Sequence, residues 1–154
     1  MPTFDTIRTK TWVISIPTDW TEGRETEKGA WYFESQDGGR GAYIATWHLG
    51  DRESRNAADV AESFRQSDLR TLREMAGHSW RIIAEKVEQI DRVSVATTDA
   101  FDQARSYRIA GKILSRPPVV VRASFHDYNC EDYGVSAAYF APIIGSLGFN
   151  RAES

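Results

Sequence analysis

Residues 12–16, WVISI, alternate in an extended chain: Trp12, Ile14 and Ile16 on one side, Val13 and Ser15 on the other. Pro17 stops that strand, and a second tryptophan, Trp20, follows it. A polar stretch, DWTEGRETEKG, precedes a second strand at Ala30–Gln36, with Trp31 and Phe33 on one face and Tyr32 and Glu34 on the other. DGGRG is a hairpin signal, because Asp-Gly and free glycines accept positive φ. The alternation resumes over Gly41–Leu49, where Tyr43, Ala45, Trp47 and Leu49 share one face and Ile44, Thr46 and His48 the other. Trp31–Leu49 therefore reads as a β-hairpin.

The period then changes. Ala57, Val60, Ala61, Phe64, Leu72, Met75 and Ala76 form a helical stripe, which Asn56 can cap and Gly77 can end. Ser67 and Asp68 interrupt the stripe and predict a break or kink. Strands return at Trp80–Ile90, Val93–Thr98, Arg105–Leu114 and Val119–Tyr128, with turns expected at DR, TDAFDQA and SRPP. A closing helix is expected around Ser136–Leu147, kinked by Pro142 or firm only from Ala141 onward. Strands in runs rather than in strict alternation with helices give an α+β class. The expected form is an antiparallel sheet flanked by a long helix and a short C-terminal helix, in one domain spanning 1–154.

The strand WVISIPTDW at Trp12–Trp20 and the terminal FAPIIGSLGF at Phe140–Phe149 resemble the two ends of the PsbP/Mog-like fold, an α/β/α sandwich. Ser146, Leu147 and Phe149 match its last turn and exit, and the resemblance implies that Trp20 folds back over the core. Proteins of that fold include a photosystem subunit, a nuclear-transport regulator and bacterial secretion-associated proteins. What they mostly share is binding other proteins. The resemblance thus implies a non-enzymatic binding module, such as an immunity protein or a secretion-associated adaptor or chaperone, with a toxin or secreted effector as partner. It carries over no partner-binding residue.

Composition narrows the classes. The chain has 154 residues, enough to bury about 70% of its unfolded surface without a staple. Its 19 basic and 22 acidic residues give a net charge of -3, against the basic excess of nucleic-acid binders. The arginines are scattered among acids. The longest apolar run, Ala137–Ile144, is too short to span a bilayer, and residues 1–15 lack a signal-peptide core. These features lead to an expectation of a cytoplasmic protein, a monomer or a homodimer. With one cysteine, Cys130, no intramolecular disulfide can form.

Candidate chemistry concentrates in FHDYNCED. His126, Asp127, Cys130, Glu131 and Asp132 are metal-ligating types, but their spacing matches no established site, and no cofactor is expected. A Cys130–His126 nucleophilic pair would need side chains that meet. GGRG lacks the lysine and the following helix of a phosphate loop. Trp12, Trp31, Trp47 and Trp80 are expected in the core. Two contact surfaces stand out: Tyr128, Glu131, Asp132 and Tyr133, and an aromatic sheet face with Tyr32, Ile44 and His48. The alternative is a small-ligand binder or modest enzyme with a pocket between sheet and helix, and His48, His126 and Cys130 as its first suspects.

Overall fold

A computed structural model describes residues 3–21, 23–26 and 29–150. The strands are β1 (Phe4–Arg8), β2 (Trp12–Pro17), β3 (Arg24–Glu25), β4 (Trp31–Glu34), β5 (Arg40–His48), β6 (Arg81–Ile90), β7 (Val93–Asp102), β8 (Tyr107–Arg116), β9 (Val119–Asp127) and β10 (Gly148–Phe149). Helix α1 (Ala57–Glu74) lies between β5 and β6, and α2 (Tyr133–Ser146) between β9 and β10. The seven-stranded antiparallel sheet has the order β3-β4-β5-β9-β8-β7-β6, and β1-β2-β10 form a small second sheet.

The two helices take opposite faces of the large sheet. Val60 and Ala61 of α1 pack on Ala96, Ile113 and Val120, and Leu69 and Leu72 pack on Ala100. On the other face, Phe140 and Ile143 of α2 join Val95, Ala110, Leu114, Val121, Ala123 and Phe125. The small sheet adds Trp12, Ile14 and Ile16 to that same core. The class is thus α+β, three layers deep, as the run of strands implied.

Trp20 is buried in this core, edge-on to Phe140 at 6.4 Å, and its Nε1–H donates to the Tyr139 hydroxyl at 2.8 Å. Pro17 closes β2 in a turn whose carbonyl accepts from the Trp20 amide. The chain's two distant segments meet directly. Phe149 pairs with Trp12, and the Ser146 hydroxyl accepts from the Ser15 amide at 2.8 Å while donating to Ile143 O. The β4–β5 hairpin forms with Trp31 opposite Ile44 and Tyr32 opposite Tyr43.

Several expectations need correction. Helix α1 runs unbroken past Ser67 and Asp68, because Leu69 continues the buried stripe and Asp68 reaches Arg122 on β9. Helix α2 starts at Tyr133, before Ala141, and contains Pro142. Pro142 and Ala138 are both exposed, so water can solvate the Ala138 carbonyl that the proline leaves without a donor. Strand β7 extends to Asp102, since Ala100, Phe101 and Asp102 are all buried, and the turn falls at 103–106. Trp47 is 48% exposed, outside the core. Strand β1 has no apolar alternation to announce it: only Ile7 packs inward. The polar stretch at 19–29 holds the short strand β3, and its residues 22, 27 and 28 lie outside the described residues.

Candidate functional site

Helix α1 lies across β6, β7 and β8. Side chains from β4, β5 and the ends of β8 and β9 on that face have no helix over them, and they are mainly aromatic. Strand β4 contributes Tyr32, β5 contributes Tyr43, β8 contributes Tyr107, and β9 with its following residue contributes His126 and Tyr128. The Tyr32 and Tyr43 rings are 4.4 Å apart, and Tyr43 meets His126 edge-on at 5.4 Å. His126 stacks beside Tyr128 at 5.6 Å, and Tyr128 lies 5.3 Å from Tyr107. Tyr107 continues to Trp80 at 5.3 Å, and Trp80 stacks on His78 at 5.0 Å. Further along β5, Trp47 leans on Phe64 of α1 at 6.0 Å.

Local sequence explains why these rings share a face. Antiparallel register sets Tyr32 opposite Tyr43, and Tyr43 opposite Ser124. Gly41 provides the space for Tyr32: a Cβ there would sit 2.8 Å from the Tyr32 hydroxyl oxygen. That hydroxyl donates to Glu34 at 3.0 Å. Burial, followed by the bond to Glu34, raises the Tyr32 phenol well above its ordinary value. Burial likewise raises Tyr107.

His126 sits between two hydroxyls, Tyr107 at 2.6 Å from Nδ1 and Ser124 at 2.8 Å from Nε2. One hydroxyl donates and the other accepts, which suits a neutral imidazole. Burial pushes its pKa down to about 4. The sign follows from linkage. The unfolded imidazole takes a proton below its ordinary 6.5, whereas the folded one resists until about pH 4. His126 therefore supports the fold fully above pH 6.5, and that support is lost as pH falls toward 4. Compared by urea unfolding at pH 7 and pH 4.5, the wild type should lose about 2 kcal/mol more than His126→Asn. Equal losses in the two proteins would show that the proton goes elsewhere.

His78 and Asp102 form a second polar pair, Nδ1 to Oδ2 at 2.8 Å. Burial works to raise the Asp102 pKa, but the Ser79 amide and His78 outweigh it and the carboxyl stays below its usual range. Asp102 also accepts from the Arg105 amide, so it fastens the segment after α1 to the end of β7.

The structure distributes the residues singled out by sequence pattern unevenly. Tyr32 and Tyr128 lie together in the aromatic face. Ile44 does not join them: it is fully buried on the opposite side of the sheet, because it pairs with Trp31. His48 shares the side of Ile44, exposed at the far end of β5 opposite Val119, whereas His126 is opposite Gly41. Asp132 caps α2 through the Val135 amide, and Glu131 is exposed. Tyr133 donates to Asp99 and lies over Arg108, so its hydroxyl is engaged within the fold. Cys130 is buried, and burial raises its thiol pKa. No group of three or more His, Cys, Asp or Glu suited to a metal occurs among the described residues. Tyr43 and Tyr107 escaped sequence reading as site residues because strand register, and not spacing, brings them together, and His78 and Trp80 because the segment between α1 and β6 folds back onto Tyr107; Trp80, expected in the core, is partly buried. The one available signal was that Tyr43 and Trp47 share the face opposite Ile44.

A separate groove of about 1020 Å³ opens on the other side of the sheet, where α2 ends. Val95, Leu114, Ile144, Leu147 and Phe149 line it, with Glu88, Arg92, Lys112 and Arg116 among them. The Lys112 ammonium donates to the Ile144 and Leu147 carbonyls at 2.8 and 2.9 Å, closing the C-terminus of α2. None of His48, His126 and Cys130 lines this groove.

Neither a protein-family model nor a curated protein matches this chain. Solved structures do. The solution structure of cyanobacterial PsbP (CyanoP) from Synechocystis superposes with a TM-score of 0.69 at 8% identity, over 97% of this chain and 94% of that one. A crystal structure from Bacteroides thetaiotaomicron aligns at a TM-score of 0.50 and 14% identity, over 93% of this chain but 46% of that longer one. The chain has the PsbP-like fold, and at these identities the likeness is one of fold alone. No helix among the described residues is long and apolar enough to cross a membrane.

Proposed function

We propose that this protein is a non-enzymatic binding module that contacts another protein through the tyrosine–histidine face. The observation that carries the reading is the run of touching rings from Tyr32 to His78 on a sheet face that α1 leaves open, with Tyr43 and Trp47 exposed. Tyrosines offer large, rigid contact area with a polar tip and lose little entropy when buried. His126, both of whose nitrogens are engaged by Tyr107 and Ser124, stays neutral under the rings, so burying this face against a partner carries no cost of desolvating a charge there. Buried Cys130, with its raised pKa, is poorly suited to nucleophilic work. An immunity protein or secretion-associated adaptor would use such a face against a toxin or secreted effector.

The test is affinity capture from the native cell extract with three baits: wild type, Tyr43→Ala/Tyr128→Ala, and Val135→Ser on the exposed side of α2. A partner retained by the first and third and lost by the second supports the reading. A partner held equally by all three moves the contact elsewhere on the surface.

A second reading, a small-ligand binder, is favoured by the groove at the end of α2 and its mixed lining. It predicts a ligand that raises the melting temperature of the wild type and not of Thr97→Trp, a half-buried position of the groove lining.

A further inference from the structure

Strand β6 is an edge of the large sheet, ten residues long and without proline. Its turn to β7 closes on Ile90 paired with Val93. The closing pair of a two-residue hairpin exchanges both backbone bonds, so Ile90, Glu88 and Lys86 turn their backbone groups toward β7. Glu85, Val87 and Gln89 then turn theirs outward. The bulge between Ile82 and Ala84 limits the regular ladder to 84–90. Edge lysines commonly protect such strands from pairing. Here Lys86 shares its face and an ion pair of 3.0 Å with Glu88.

We propose that a second copy of this chain pairs antiparallel along β6, with Val87 facing Val87 at the two-fold axis. In that register Lys86 faces the partner's Glu88 twice, and exposed Ile90 faces the partner's Ala84. Sliding the strands by two residues either way sets Lys86 against Lys86 or Glu88 against Glu88. Charge thus selects one register, in which the outward-turned backbone groups of Glu85, Val87 and Gln89 find partners. Val87 and Ile90, two of the most exposed large apolar side chains, lose water there. A ladder of this length buries less than the roughly 1,600 Å² of a standard interface, so the dimer is weak and concentration-dependent.

Charge reversal tests it, because Lys86 and Glu88 are exposed and their replacement spares the core. Sedimentation velocity should show the wild type passing from monomer to dimer as concentration rises. Lys86→Glu alone and Glu88→Lys alone should each raise the dimer Kd at least about tenfold. An equal mixture of the two single variants should associate again, since one chain then carries two carboxylates and the other two ammonium groups on the pairing face. Circular dichroism establishes that each variant is folded. Failure of the mixture to associate overturns the proposal, as does a wild type that stays monomeric throughout or single variants that dimerise like it.

Discussion

Asp99→Ala is expected to cost about 3–5 kcal/mol in urea unfolding, because it strands a buried guanidinium. Arg108 is 5% exposed. Its Nε and Nη2 donate to the two Asp99 oxygens at 3.0 and 2.9 Å, and its Nη1 donates to the Ser136 hydroxyl at 3.2 Å. The Tyr133 hydroxyl donates to the same carboxylate, and the Tyr133 and Phe140 rings lie 5.1 and 5.9 Å from the guanidinium carbon. Arginine cannot shed its proton, so losing Asp99 removes both acceptors and leaves the charge buried. Replacing both partners with apolar groups of similar size should cost much less than the single change. If Asp99→Ala unfolds within about 1 kcal/mol of wild type, water reaches Arg108 and the pair is not a closed one.

The largest effect on binding is expected at the tyrosine face. Hot-spot aromatics cost about 2 kcal/mol or more when truncated, which is about thirtyfold in Kd. Once the captured partner is purified, Tyr43→Ala should weaken it by about that factor, chiefly through faster dissociation seen by surface plasmon resonance. Tyr43 is 40% exposed, so its removal leaves the core intact and the melting temperature close to wild type. A binding loss matched by an equal fall in melting temperature would make the effect one of folding. Unchanged affinity for Tyr43→Ala would take this residue out of the interface.

Elements announced by alternation and by turn chemistry were legible in the sequence. The hairpin and the Asn56 cap are of this kind, because each rests on residues close together in the chain, whereas the return of Trp20 to the core followed from the fold resemblance, since its partners Tyr139 and Phe140 lie far along the chain. Strand β1 was not legible, since it borders the fold with mostly exposed side chains and forms because β2 offers it a partner. Trp47 shows the limit of patterning: alternation assigns a tryptophan to a face and is silent on whether a helix covers that face. The site was half legible for the same reason. Tyr32 stands out by alternation and Tyr128 as a residue type beside a turn, but their neighbours Tyr43 and Tyr107 arrive from other strands through register, and Trp80 from the segment that precedes β6. Tyr133 misled because its sequence position beside Asp132 resembles an exposed loop, while its hydroxyl is drawn back to Asp99.

The pairing of Phe149 with Trp12 also bears on when the fold can close. Contacts between residues this far apart in sequence are reached late, because much of the chain must be ordered before they form. During synthesis Trp12, Trp31 and Phe33 can gather as an aromatic cluster long before α2 and β10 leave the ribosome. Until then that cluster is open on the side that α2 will cover. The nascent chain is therefore most exposed to aggregation just before α2 and β10 emerge, and a chain stopped short of Phe140 would hold most of these strands and lack the helix that seals them.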